Sequence, residues 1–252
     1  MTPSTDKCYF VSDVHLGTST DPLGEREKAF VEFLDSIPED ATALYLLGDI
    51  FDFWVDYRDV VPRGFVRVLG RLAALSDRGC RIWFFKGNHD YWVTDYFERE
   101  LGARIVEDPY VVVEIGGKTF CLGHGDGLGP SDWKSRLIFR LFRNRTCIAL
   151  LKSLHPRLVF GFARGWSSSS RRGNEGKYSF AGEKDPLYIF ADALGRSRKI
   201  DYYVFGHEHT PASVDVASGG RMFILGDWGD GPSYLNLSEM YISGRGLPNM
   251  DT

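Results

Sequence analysis

The chain has 252 residues, a formal net charge of −4, 43% apolar and 25% charged residues, which is the profile of an ordinary soluble globular protein with room for one large core and an insertion. No apolar run approaches the ~20 residues needed to span a bilayer, and the opening MTPSTDKC lacks the apolar stretch of a secretory leader. The four cysteines (Cys8, Cys80, Cys121, Cys147) show no CxxC spacing, so a disulfide scaffold and a thiolate zinc knot are excluded and reduced packing residues in a cytosolic protein are expected.

Along the chain, strand-like and helix-like patterns alternate, and short polar clusters follow the strands. Tyr9–Ser12 is a short β run that ends in Asp13-Val-His15. Arg26–Leu34 has helical spacing through Ala29, Phe30, Phe33 and Leu34. Ala43–Leu47 is a second β run, followed by Gly48-Asp49-Ile-Phe-Asp52. Phe65–Leu75 is helical and stops near Gly79; Arg81–Phe85 is a third β run, followed by Gly87-Asn88-His89-Asp90. Tyr110–Ile115 and Thr119–Leu122 flank Gly116-Gly117, a hairpin signal, and the second of these runs leads to Gly123-His124-Gly125-Asp126. A helical pattern near Pro186–Leu194 precedes the β run Tyr202–Phe205, which ends in Gly206-His207-Glu208-His209. From Ala212 to Ile242 the pattern is a meander of short strands. Alternation followed by a β-rich tail predicts an α/β sandwich with helices outside two packed sheets.

Five of the six histidines lie in these clusters. Asp, Asn and His without a thiolate form the ligand set of hard-to-borderline cations, which points to manganese, iron or zinc used for hydrolysis. In extended backbone, residues two apart point the same way, so Asp13 with His15, and His207 with His209, can each present a pair of ligands. Two metals need a bridging group, and the Asp49 carboxylate is assigned that role. Asp13, His15 and His209 complete a first site; Asn88, His124 and His207 complete a second. Such a pair can hold a bridging hydroxide for in-line attack on phosphorus. His89 is placed to protonate a leaving oxygen or bind the transition state, with Asp52 fixing its tautomer from behind. Asp90 and Asp126 are groups behind the ligands or turn formers. His155 receives no role, and Trp54, Trp92 and Trp228 are packing residues.

The ordered set DxH, GDxxD, GNH[DE], GH and GHxH, which reaches from Asp13 to His209, closely resembles the calcineurin-like metallophosphoesterase family. The resemblance implies a four-layer αββα sandwich of two mixed sheets, two divalent metals of manganese or iron type, and the same ligand assignments. FVSDVHLG, LYLLGDIFDFW, HGDGLGPSDW, the serine-rich tract 166–172 and LGDW look like those of the UDP-2,3-diacylglucosamine diphosphatases of lipid A biosynthesis. That likeness implies cleavage of a pyrophosphate to UMP and a diacylglucosamine 1-phosphate, by a cytoplasmic protein held peripherally on the inner membrane. It also implies one phosphoesterase domain over 1–252, with a helical insertion at about 128–184 that cradles acyl chains. One departure is clear. Well-known members carry Arg after the metal-binding Asn, and this chain has His89.

The insertion also speaks without the family. From Lys134 to Lys184 the chain has twelve Lys/Arg and two Glu, a basic block within an acidic protein, which suggests an anionic partner. Trp133, Leu137 and Leu141 fall on one helical stripe and Arg136, Arg140 and Arg143 on another; a second apolar pattern runs through Ile148, Leu151, Leu154, Leu158 and Phe162. A basic amphipathic helical pair suits an anionic membrane surface or a ligand with a greasy tail and an anionic head. Arg171, Arg172 and Lys177 are expected to meet the pyrophosphate; the likeness to the diphosphatases implies a substrate-binding role for Ser167 and Arg171 as well, and Asp126 is placed with them as a substrate-binding residue. The alternatives are another phosphodiester, phosphoprotein or nucleic-acid substrate on the same fold, or a non-catalytic module. The Leu, Phe and Ile of the insertion argue against a phosphate-tracking groove, so no nucleic-acid partner is expected. The intact ligand set argues against a decayed enzyme.

Overall fold

A computed structural model of the chain describes residues 6–130, 137, 141–142, 144–161, 180–229, 231–238 and 241–243. Among the described residues, eleven strands in two sheets form the framework. The first sheet has the order β11(Tyr241–Ser243)–β10(Tyr234–Asn236)–β1(Cys8–Val11)–β2(Ala43–Leu46)–β3(Arg81–Phe85)–β4(Arg104–Val106). Strands β1 to β4 run parallel, and β10 and β11 are antiparallel additions. The second sheet has the order β5(Tyr110–Ile115)–β6(Lys118–Gly123)–β7(Tyr202–Phe205)–β9(Arg221–Ile224)–β8(Ala212–Asp215), with β6, β7 and β9 parallel and the outer strands antiparallel.

Strand alternation divides the apolar residues between layers. Phe10, Ala43, Tyr45, Phe85, Phe120, Leu122, Val204 and Phe223 point between the sheets, where Phe10 stacks on Tyr45 and on Phe120 at centroid distances of 4.9 and 5.9 Å. The other faces of the first-sheet strands, through Tyr9, Val11, Leu44, Leu46, Ile82 and Phe84, meet α1(Glu25–Ser36), α2(Val66–Asp77) and α3(Tyr96–Leu101). The far face of the second sheet, through Cys121, Tyr203, Phe205, Met222 and Ile224, meets Leu187, Tyr188 and Ala191. Those three belong to α5(Pro186–Ser197). The result is the four-layer αββα sandwich of two mixed sheets that the sequence predicts.

Three details differ from the sequence reading. Helix α3 and strand β4 lie in a stretch whose pattern shows no period, and the buried Asp56 carboxylate organises it by accepting N–H bonds from Thr94, Asp95 and Tyr96. The C-terminal meander is not one unit. β8 and β9 close the second sheet, whereas β10 crosses to pair with β1 in the first. In the insertion, the stripe through Ile148 and Leu158 is broken. Helix α4(Arg145–Ser153) stops at an extended Leu154, and a new helical segment occupies 156–161. Pro156 has no N–H to continue α4, and it disfavours helical backbone at His155. Ile148 and Leu151 of α4 and Val159 pack with Tyr91, Trp92 and Val55, while Leu150, Leu154 and Leu158 remain 64%, 50% and 64% exposed. All four cysteines are free, as expected. Among the described residues no helix is long and apolar enough to cross a membrane.

Candidate metal centre

Parallel strands end at a common edge, and ligands of open α/β sheets gather there. The loops after β1, β2 and β3 meet the loops after β6 and β7 at this edge, and their backbones are bonded to one another. Asp13 N–H donates to Gly48 O (3.1 Å), His15 N–H to Asp49 O (3.0 Å), Gly206 N–H to His124 O (2.8 Å) and Trp228 N–H to Asp13 O (3.3 Å). Glycine makes this approach possible. A Cβ on Gly87 would stand 2.2 Å from Asp49 Oδ1, and one on Gly206 would stand 2.3 Å from Asp13 Oδ2.

The pairing of residues two apart has a different origin from the extended backbone expected. Asp13, His15, Asp49, His207 and His209 all adopt left-handed backbone, with φ between 51° and 71°. Non-glycine residues there carry strain, and such strain persists where the surroundings over-determine the conformation. The tight turns divide His207 from His209 rather than aligning them. His209 lies beside His15 (Nε2 to Nε2 3.3 Å) and Asp13 (Nε2 to Oδ1 3.5 Å), whereas His207 lies beside His124, ring centroids 5.2 Å apart.

Each buried carboxylate uses one oxygen for the protein and turns the other inward. Asp13 Oδ2 accepts from Ser12 Oγ (2.6 Å) and His207 N–H (3.0 Å); Asp49 Oδ1 accepts from His89 N–H (2.8 Å). Among the described residues, Asp13 Oδ1 and Asp49 Oδ2 are buried without a hydrogen-bond partner. Asp49 Oδ2 lies 3.8 Å from His15 Nε2 and 3.5 Å from His124 Nε2, between the two halves of the cluster. Asn88 Oδ1 completes the second half at 3.3 Å from His124 Nε2. His124 Nδ1–H donates to the carbonyl of Leu47 at 2.9 Å, which turns Nε2 toward the cluster as the atom that could coordinate once a cation displaces its proton. Orphaned anionic oxygens and imidazole lone pairs converging in a buried pocket are costly alone and fit a divalent cation. Asp13, His15, Asp49 and His209 form one set of mutually close donors, and His15, Asp52 and His89 another.

The electrostatics show the same demand for positive charge. Burial pulls the His124 imidazole down, but the Asp49 carboxylate beside it prevails and pushes it up to about 9. Burial would raise the Asp49 carboxyl, yet His124 and His89 hold it well below its usual range. Burial drives His207 down to about 3 and His15 well below its ordinary value. Asp90 is pushed up to about 7 by burial and by Asp49, and its carboxylate accepts from Gly87 N–H (2.7 Å), Ile50 N–H (3.0 Å) and Asp49 N–H (3.3 Å). It is thus the clamp between the Asp49 and Asn88 loops, a role that only the folded contacts define. Ser12, by contrast, is missed by the sequence reading, hidden in a strand end.

His89 sits beside His15, with ring centroids 4.8 Å apart. Its Nδ1 bonds to the backbone carbonyl of Asp52 at 3.0 Å. The Asp52 carboxylate, expected to fix the tautomer, is 3.6 Å away and 3.8 Å from His15 Nδ1, so the carbonyl does the fixing. Asp126, expected at the substrate, is buried and accepts a hydrogen bond from Tyr91 Oη. Ser167, Arg171, Arg172 and Lys177 lie outside the described residues.

Fold and side chains together define a candidate nitrogen–oxygen metal centre at the edge of a four-layer α/β sandwich. The family model for calcineurin-like phosphoesterases matches residues 7–211. The chain is 42% identical to a UDP-2,3-diacylglucosamine hydrolase of Porphyromonas gingivalis, over 88% of this chain and 90% of that one. It is 31% identical to proteins of the same name from Shewanella halifaxensis, covering 96% and 98% of the two chains, and Stutzerimonas stutzeri, covering 86% and 89%. This chain belongs to the calcineurin-like phosphoesterase family.

Proposed function

We propose that this protein is a dinuclear metallohydrolase that cleaves the pyrophosphate of UDP-2,3-diacylglucosamine to UMP and 2,3-diacylglucosamine 1-phosphate. The observation that carries the chemistry is the pair of orphaned oxygens, Asp13 Oδ1 and Asp49 Oδ2, aimed into a cage of imidazoles. The substrate rests on the named relatives, which align along nearly the whole chain. Asp13, His15 and His209 would hold one ion, Asn88, His124 and His207 the other, with Asp49 between them. Manganese suits this set, ahead of iron or zinc. When bound, the two ions supply Lewis acidity toward water and a phosphoryl oxygen.

The remaining chemistry belongs to the chain. Water adds across the P–O–P bond, and the leaving phosphate oxygen must take up a proton or keep its charge. His89 is held through its Nδ1–H, so a proton for the leaving oxygen can sit only on Nε2, in the imidazolium form. Asp52 supplies that anchor, and Asn88 serves both as ligand and as the residue that sets His89 in place. Ser167, Arg171, Arg172 and Lys177 are the proposed contacts to the diphosphate and sugar, with Asp126 buttressing the His124 loop. The exposed leucines of α4 and 156–161 support a membrane-facing insertion, hence peripheral attachment to an anionic inner-membrane surface from the cytoplasm.

The test is a product assay by mass spectrometry with manganese, offering UDP-2,3-diacylglucosamine, UDP-N-acetylglucosamine and a chromogenic phosphodiester. UMP and diacylglucosamine 1-phosphate from the acylated substrate alone are expected. Turnover of the chromogenic diester alone would discard the lipid assignment while keeping the metal chemistry.

A further inference from the structure

The chain leaves His15 in a succession of tight turns and returns to it. Thr18 N–H donates to His15 O and Asp21 N–H to Thr18 O, each at 3.2 Å. The two oxygens of Asp21 then accept the N–H groups of Glu25 and Arg26, both at 2.9 Å, and so start α1. From this first turn the Arg26 guanidinium reaches back. Nη1 donates to the carbonyl of Val14 (3.4 Å), the residue between Asp13 and His15, and Nη2 to Asp227 Oδ2 (3.3 Å). Asp227 in turn donates its N–H to the carbonyl of His209 (3.2 Å), while its neighbour Trp228 donates to that of Asp13 (3.3 Å).

The ion pair therefore ties Val14, which lies between Asp13 and His15, to the Asp227–Trp228 segment, whose backbone N–H groups hold the carbonyls of His209 and Asp13. Neither Arg26 nor Asp227 bonds to the loops of Asn88 or His124 among the described residues. Arg26 and Asp227 are 15% and 27% exposed at their side chains, sheltered enough for the pair to matter more than a surface bridge. Gly229 makes room for them, since a Cβ there would lie 2.9 Å from Arg26 Nη2. Asp13, His15 and His209 have φ of 53°, 51° and 55°, the strained backbone that needs such support.

We propose that Arg26 and Asp227 are positioning residues that set the affinity of the first ion site, holding Asp13, His15 and His209 in register without touching the ion. The inference rests on the dinuclear reading above. Its test is calorimetric and equilibrium-dialysis titration of manganese(II) into the metal-stripped full chain, comparing wild type with Arg26→Gln, Arg26→Lys and Asp227→Asn, beside thermal melts and electron paramagnetic resonance.

Wild type is expected to take two ions. Arg26→Gln and Asp227→Asn should keep one and bind the other about 10- to 100-fold more weakly, with the spin-coupled signal of a manganese pair replaced by that of isolated manganese. Arg26→Lys should fall between, because one ammonium cannot reproduce the fork that reaches two acceptors. Excess manganese should restore turnover, so that the loss sits in the metal requirement and not in kcat. Should Arg26→Gln not fold, Arg26→Lys and Asp227→Asn carry the same comparison. Variants that bind both ions like wild type, or weaken both equally, overturn the proposal while leaving the dinuclear reading intact. A wild-type protein that takes fewer than two ions overturns that reading and this one with it.

Discussion

The loops after β1, β2, β3, β6 and β7 are tied to one another by backbone hydrogen bonds and by the buried carboxylates of Asp13, Asp49 and Asp90. The segment from α4 to residue 161 meets the same core through a small apolar cluster around Tyr91 and Trp92 and through Lys152, whose Nζ donates to Thr94 Oγ1 (2.7 Å). Leu150, Leu154 and Leu158 are left outside. Under the proposed function, the difference follows from what each region would do. Ion chemistry needs side chains held to fractions of an ångström, and a surface for lipid needs apolar groups not already spent on the core. The rigid part tolerates little change, and the docked part tolerates much, in stability though not in function.

The largest expected break of this contrast is Asp49→Ala. Removing the carboxylate between the two halves should take away both ions and several kcal/mol of transition-state stabilisation, a loss of about 10³-fold or more in kcat/KM. Metal analysis of the purified variant beside turnover checks it, and full activity would refute the site. His89→Gln should retain both ions and lose about 10²-fold or more in kcat. Its pH–rate profile decides the role: loss of the alkaline limb marks proton donation, and a uniform drop marks electrostatic stabilisation.

The pH dependence of the metal-free fold sharpens the comparison further. His207 is pushed down to about 3 by burial, so between about pH 6.5 and 3 the unfolded chain binds a proton that the folded chain does not. Stability from this group is complete above pH 6.5 and falls as pH drops, by about 1 kcal/mol per pH unit. Asp90, pushed up to about 7 by burial, acts in the opposite direction over the same range, so the informative quantity is the difference between wild type and His207→Asn. That difference should be flat above pH 6.5 and shift against wild type below it, measured by urea unfolding in chelator.

The smallest effect on stability is expected in the insertion. Leu150→Ser, Leu154→Ser and Leu158→Ser should each change stability by no more than about 0.5 kcal/mol, as exposed positions do, yet together they should weaken co-sedimentation with anionic phospholipid vesicles. Unchanged vesicle binding would remove the membrane-facing role from this segment.

The sequence by itself determined the parts list. The runs before Asp13, Asp49, Asn88, His124 and His207 are strands because apolar β-type residues cluster there, and the breaks at Gly48, Gly87 and Gly206 mark where loops begin. Ligand chemistry is local too, since a carboxylate or imidazole keeps its character wherever it sits. The grouping of ligands was expected from the sequence, but only the tertiary structure decided how it is achieved. Left-handed turns, not extended backbone, set Asp13 beside His15 and sent His207 and His209 to different neighbours. The Asp52 carbonyl, not its carboxylate, anchors His89. Asp90 was expected behind the ligands or in a turn, but which loops it clamps, and the link between Arg26 and Asp227, show only in the fold, because they join residues 40 and 201 positions apart. Short-range pattern encodes which backbone a segment prefers, whereas contacts across such distances exist only once the two sheets have packed and brought those loops to one edge.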